Sequence, residues 1–162
     1  MTTAAPRAVA AADLDELLAM NNAALPNVNE LDRAGLAELV DAADHAVLTT
    51  EPAADRPSGF LLALRETTGY TSSNYRWFCD HLEAFLYVDR IVVDPAARST
   101  GLGALLYRST FVRAAAVGVP LVACEVNVDP PNPGSQRFHA HLGFTEVGTR
   151  VAADGKTVSL LT

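Results

Sequence analysis

Cysteine is scarce: Cys79 and Cys124 are the only two in 162 residues, far apart and without a CxxC partner. Neither a disulfide framework nor a zinc knuckle is indicated, and two ordinary reduced thiols are expected. Long apolar runs are missing too. No stretch approaches the ~20 residues of a membrane span, and Met1 to Arg7 holds no continuous apolar segment of signal-peptide type. The expectation is a cytoplasmic protein with no membrane partner. Basic residues are outnumbered, 12 Lys plus Arg against 19 Asp plus Glu, for a net charge of −7. That balance disfavours non-specific binding to a phosphate backbone, so nucleic acid is not an expected partner. A small anion can still be held where Arg and backbone N–H groups gather.

With 49% hydrophobic and 19% charged residues, the chain can bury a core, and its length suits one domain over residues 1–162. Ala8 to Ala12 reads as a short strand. Asp13 and Glu16 suggest a capping box for a helix carrying Leu14, Leu17 and Leu18. The Asn-rich stretch from Asn21 to Asn29 reads as a loop, and Leu36, Leu39 and Val40 mark a second helix. Ala46–Thr50 and Gly59–Leu64 flank a Pro-rich turn and form a hairpin, whereas Arg65 to Glu83 has no clear period and reads as a long aromatic loop. Phe85 to Val93, β-branched and aromatic, is a central strand. A helix carrying Leu102, Leu105, Ser109, Val112 and Ala116 comes next, then a strand at Leu121–Val128, a helix at Gly134–Leu142, and a closing hairpin of Phe144–Val151 and Thr157–Leu161. The expected class is mixed α/β.

The segment from Ile91 to Ala104 runs from strand through a glycine-bearing loop into a helix. N–H groups at such a helix start can face an anion, aided by the helix dipole, and Arg98 adds a cation. A pyrophosphate is the natural ligand. The dinucleotide fingerprint fails because Leu106 stands where its third glycine belongs, and the Walker lysine is absent. Taken alone, Gly101 and Gly103 are equally explained by a tight turn before a helix.

A second segment lies after the next strand, at the distance of one more β-α unit: Asn132 to Phe144. Together, V-x-P-x-x-R-x-x-G-x-G at Val93–Gly103 and N-x-x-S-x-x-F-(Y/H)-x-x-x-G-F at Asn132–Phe144 resemble the GCN5-related N-acetyltransferase (GNAT) superfamily. The resemblance implies a mostly antiparallel central sheet of about six or seven strands with about four helices, and a V-shaped cleft between the strands ending at Val93 and Val128. It implies acetyl-CoA as co-substrate and no metal. Main-chain groups at Ile91, Val92 and Val93 would pair with the pantetheine arm. The loop Arg98, Ser99, Thr100, Gly101, Leu102, Gly103 and Ala104 would hold the pyrophosphate, and Asn132, Ser135 and Phe138 would line the other side.

Transfer to an amine then needs a base. Glu125, a carboxylate between Cys124 and Val126 in an apolar strand, is the first candidate; it is also explained as a solvent-facing residue or an ion-pair partner. Asp89 and Tyr87, on one face of the first cleft strand by alternation, are rivals. The leaving thiolate needs a proton. Many members of the superfamily carry Tyr at the position of His139, which here either donates, relays or merely packs on the cofactor. His141 lies two residues on and faces elsewhere, so the two histidines are not a metal pair.

The segment from Tyr70 to His81 is where acceptor contacts are expected. A hydrophobic plug or a homodimer contact accounts for Trp77 and Phe78 equally well. The leading expectation is acetyl transfer to a primary amine of a small molecule. A protein N-terminal or lysine acetyltransferase is the first alternative, and a non-catalytic acyl-CoA-binding regulator the second.

Overall fold

The computed structural model describes residues 5–51 and 55–162. Residues 1–4 of the N-terminal stretch and 52–54 of the Pro-rich turn lie outside the described residues. The strands are β1 (Arg7–Ala8), β2 (His45–Thr50), β3 (Pro57–Arg65), β4 (Leu86–Val93), β5 (Val122–Asp129), β6 (Glu146–Val151) and β7 (Thr157–Leu161). The helices are α1 (Leu14–Ala23), α2 (Arg33–Ala42), α3 (Ser73–His81), α4 (Leu102–Ala116) and α5 (Pro133–His141). The strands form one sheet in the order β1-β2-β3-β4-β5-β7-β6. All neighbours are antiparallel except β4 and β5. None of the helices among the described residues is long and apolar enough to cross a membrane.

Alternation along β3 assigns the layers. Leu61 and Ala63 join Leu106, Tyr107 and Ala114 of α4 on one face. Phe60 and Leu62 join Leu14 and Leu17 of α1 and Leu36 and Leu39 of α2 on the other. Leu64 continues that second face under Tyr75 and Phe78 of α3. Phe138 and Leu142 bring α5 onto the α4 face.

Several elements depart from the sequence expectation. The first strand is only Arg7–Ala8, and Ala11–Asp13 is a 3-10 turn. Asp13 does not cap α1 through its side chain; its carboxylate reaches back to the Ala10 N–H at 2.8 Å and to Arg7. Asn21 and Asn22 belong to α1, not to a loop. Their amides tie down the α1–α2 connection: Asn21 donates to the Asn29 carbonyl, and Asn22 brackets both backbone groups of Leu31.

The expected aromatic loop contains α3, a fifth helix. Its sequence Ser-Asn-Tyr-Arg-Trp-Phe-Cys-Asp-His holds few strong helix formers. Ser72 starts it by accepting from the Tyr75 N–H, and burial of Tyr75 and Phe78 against Phe85 and Tyr87 holds it. The buried stripe of α4 is also rotated from the expected one. It consists of Leu102, Leu106, Tyr107, Thr110 and Ala114, while Val112 is 66% exposed. Two of those five carry hydroxyls, and both find partners inside the protein: Thr110 donates to the Leu106 carbonyl, and Tyr107 bonds His139. A hydropathy stripe cannot anticipate that.

Candidate active site

Where the parallel pair β4 and β5 begins, Leu86 is paired with Val122 and Tyr87 with Ala123. Beyond those two pairs no ladder joins the strands, and a cavity of about 990 Å³ opens between them. The β4 edge from Val88 to Val93 is bonded on one side, to β3, and its other side lines the cavity. Such an edge presents main-chain donors and acceptors to whatever enters.

A bulge shapes this edge. In the β3–β4 ladder Ala63 faces Val88 and Leu62 faces Arg90, so Asp89 is the extra residue. One added residue reverses the faces of the residues after it. Val88 packs toward α4, while Val92 packs toward α1 and Ile91 and Val93 turn to the α4 side. Arg90 is thereby carried into the α1 layer, 5% exposed, where it donates to Asn21 at 2.7 Å and to Asp89 at 2.8 Å. The second oxygen of Asp89 accepts from Tyr70 at 2.7 Å.

At the end of β4, Asp94 caps a 3-10 turn by accepting from the Ala96 N–H. Ser99 and Gly101 then take left-handed backbone with φ of 61° and 89°, and α4 starts at Leu102. The first N–H groups of a helix have no internal partner; here Gly101, Leu102, Gly103 and Ala104 line the cavity with Arg98 and Ser99. A Cβ on Gly103 would sit 2.9 Å from Cζ of Phe138, so only glycine lets the α5 ring lie against this loop. Asn132 caps α5 by accepting from the Ser135 N–H. The residues marked from sequence thus converge on one cavity: Ile91, Val92, Val93, the Arg98 to Ala104 loop, Asn132, Ser135, Phe138, Asp89, Glu125 and His139 all line it except Thr100. The Thr100 hydroxyl instead donates to the Ala97 carbonyl at 2.6 Å. Tyr87 is fully buried behind the wall and acts on it through Glu125.

Glu125 points to the α3 face of the sheet. Tyr87 donates to its two oxygens at 2.8 and 2.7 Å, sharing one proton between them, and Asn74 of α3 donates at 3.1 Å. Arg150 of β6 in turn donates to the side-chain amide oxygen Oδ1 of Asn74. Burial pushes the Glu125 carboxyl up from its ordinary 4.5 to about 7, and the Asp89 charge adds to the rise; the bonds from Tyr87 and Asn74 oppose it. A carboxylate poised there takes a proton readily at neutral pH.

His139 lies on the opposite face, 4% exposed. Its Nδ1 is 2.8 Å from the Ser135 carbonyl, which can only accept, so Nδ1 carries the proton. Nε2 therefore accepts from the Tyr107 hydroxyl at 2.7 Å. Burial lowers the pKa of His139 below the ordinary histidine value, favouring the neutral ring. Both ring nitrogens are thus engaged, Nδ1 with Ser135 and Nε2 with Tyr107, in the arrangement that underlies the donating, relaying or packing roles considered for His139. Tyr107 carries no sequence signal beyond type, since it belongs to a helix face; Tyr70 and Asn74 fall in the segment expected to contact the acceptor, which reads as loop in the sequence.

The roof of the cavity is the α1–α2 connection. Lys156, from the β6–β7 turn, donates to the Pro26 carbonyl at 3.0 Å, and Asn132 bonds Asn27 at 3.4 Å from the other side. The sheet is splayed at the parallel pair β4 and β5, with the N–H groups of a helix start on one side of the cavity and a raised carboxylate on the other. The sequence profile of the Acetyltransferase (GNAT) family matches residues 25–144, and the chain belongs to that family. It is 38% identical over 89 residues to the phosphinothricin N-acetyltransferase of Streptomyces coelicolor, a match covering 52% of this chain and 48% of that one. The match thus spans about half the length of that curated relative. Among solved structures, a putative acetyltransferase from Salmonella typhimurium with its cofactor acetyl-CoA superposes with a TM-score of 0.74 at 17% identity, covering 99% of this chain and 92% of that one. The ribosomal-protein-S18-alanine N-acetyltransferase from Escherichia coli gives 0.73 at 16% identity, covering 99% and 92%. At such identities the likeness is one of fold.

Proposed function

We propose that this chain, as one domain over residues 1–162, transfers an acetyl group from acetyl-CoA to a primary amine of a small molecule. The cavity fits the donor: the free N–H groups from Gly101 to Ala104 suit a pyrophosphate, and the unpaired β4 edge suits an amide-bearing arm. Acetyl-CoA brings the activated thioester. The protein aligns it with the amine, which supplies much of the rate. Glu125 takes the proton from the incoming ammonium, and Tyr87 and Asn74 hold its carboxylate in line. Asp89, already bonded by Arg90 and Tyr70, serves the local field.

The observation that favours a small acceptor is the roof. A loop bonded at both sides, by Lys156 and Asn132, leaves a bridged mouth, whereas a peptide needs an open groove. The Streptomyces relative, named for a small-molecule acceptor, agrees; the Escherichia coli neighbour is named for a protein terminus. The test is CoA release from acetyl-CoA across small primary amines, phosphinothricin among them, beside peptides with free N-termini. Turnover confined to small amines is expected. Turnover of peptides alone would overturn the acceptor class, and acetyl-CoA binding without any turnover would make the protein a regulator.

A further inference from the structure

Glu125 stands at the end of a chain of side chains that starts on the outermost strand. Gly148 and Arg150 are two apart on β6, so both lie on one face of the sheet. Their partners in the ladder, Leu160 and Val158, are buried under α3. A Cβ on Gly148 would stand 3.2 Å from the Trp77 indole, so glycine there lets α3 settle close on β6. Asn74, one turn before Trp77 on the same face of α3, then comes between Arg150 and Glu125. Its side-chain oxygen accepts from Arg150 at 3.0 Å, and its side-chain nitrogen donates to Glu125 at 3.1 Å. Among the described residues no carboxylate pairs with Arg150, so its guanidinium is not drawn away to an acid.

An arginine has no acceptor and an ionised carboxylate no donor, so an amide between them has one orientation that satisfies both. We propose that Arg150 is a positioning residue for Glu125, locking the Asn74 amide as a hydrogen-bond donor to the carboxylate. The inference rests on Glu125 as the base in the reading above. Without the guanidinium the amide can turn over. It would then present its oxygen to a protonated Glu125 and accept a hydrogen bond from it, which favours the form that cannot act as a base. With Arg150 in place, the turned amide would aim its NH2 group at a cation. The other groups around Glu125 do not supply this selection. On β4, the Tyr87 hydroxyl can donate or accept, and Asp89 opposes the charge although Arg90 and Tyr70 bond it. Cys124 and Tyr107 lie toward α4, β7 sets the apolar Leu160 opposite Glu125, and Lys156 is spent on Asp154 and the Pro26 carbonyl. Arg150 thus keeps the base in its working charge state from a strand that contributes no residue to the cavity wall.

The test needs neither acetyl-CoA nor an amine, so an absence of turnover would fail the functional reading alone. Ligand-free protein carrying glutamate labelled at the side-chain carboxyl is titrated by carbon NMR, with the Glu125 signal assigned as the one absent from Glu125→Gln. The parent midpoint is expected at about 7. Arg150→Met should raise it by about one pH unit, whereas Arg150→Lys, which still donates to the amide oxygen, should stay within about 0.3. In an Asn74→Ala background Arg150→Met should add less than about 0.3, because the amide through which it acts is gone. Equal midpoints in the parent and Arg150→Met, or the same rise with and without Asn74, would overturn the inference. Should Arg150→Met not fold, Arg150→Thr, which suits a strand and is too short to reach Asn74, is read by the same criteria. Where an amine turns over, the acidic limb of CoA release should move with the Glu125 midpoint. A limb that stays fixed while the midpoint moves overturns Glu125 as base and leaves the hold of Arg150 on its carboxylate intact.

Discussion

Replacing Glu125 with Gln removes the base while keeping its size and its bonds to Tyr87 and Asn74. With the carboxyl at about 7, the active carboxylate form is about half populated at that pH and about one tenth a unit lower. The parent rate should therefore fall on an acidic limb with a midpoint near 7, by about tenfold per pH unit below it. Glu125→Gln should lose about 10²- to 10⁴-fold, the usual worth of a positioned base, and lose that limb as well. The same shift has an opposite consequence for stability. A carboxyl raised from 4.5 to about 7 by burial leaves the fold most stable below its unfolded value, and that stability is lost as pH rises through 7. Gln, neutral throughout, should raise the melting temperature of the ligand-free protein at pH 8 by a few degrees, from about 1–3 kcal/mol. At pH 4 the two proteins should melt alike. Rates of CoA release against pH, beside thermal melts at both pH values, provide the measurement. A Gln variant with the parent's limb, or with no gain at pH 8, would refute the assignment of Glu125.

Arg90 is buried with Asp89 and Asn21 as partners, so Arg90→Met should destabilise by about 3–5 kcal/mol through the unpaired carboxylate left behind; denaturant unfolding near neutral pH checks this. Gly103→Ala would push a methyl into the Phe138 ring, and calorimetry should show acetyl-CoA affinity reduced by about tenfold or more, the cost of overpacking; unchanged affinity would mean that α5 shifts freely. Lys156→Ala unties the roof from Pro26 and should raise the acceptor KM more than the KM for acetyl-CoA, as the proposed acceptor role of the roof requires; steady-state kinetics with each substrate varied checks this.

Much of the cavity lining was legible because its signal lies in backbone demands. Gly101 with its left-handed φ, Gly103 under the Phe138 ring, Pro95 in the turn after Asp94, and Asn132 as helix cap are residues whose types derive from local geometry. Glu125 stood out as a carboxylate inside an apolar strand. What sequence could not supply depends on tertiary contact. The bulge at Asp89 appears only in the β3–β4 register, and it decides which layer receives Arg90. Helix α3 is held by Tyr75 and Phe78 against the sheet rather than by its own propensities. Tyr107 counts as polar until His139 is seen 2.7 Å from its hydroxyl, and that neighbour comes from a helix 32 residues on.

The central claim is that the splayed pair β4 and β5 and the α4 helix start hold an acyl-CoA. Calorimetric titration with acetyl-CoA, run beside ATP and NADH as anionic controls, tests it most directly. The account predicts saturable binding to acetyl-CoA at about micromolar Kd, about −8 kcal/mol, with the two controls at least tenfold weaker. No binding of acetyl-CoA, or equal binding of all three anions, would contradict it.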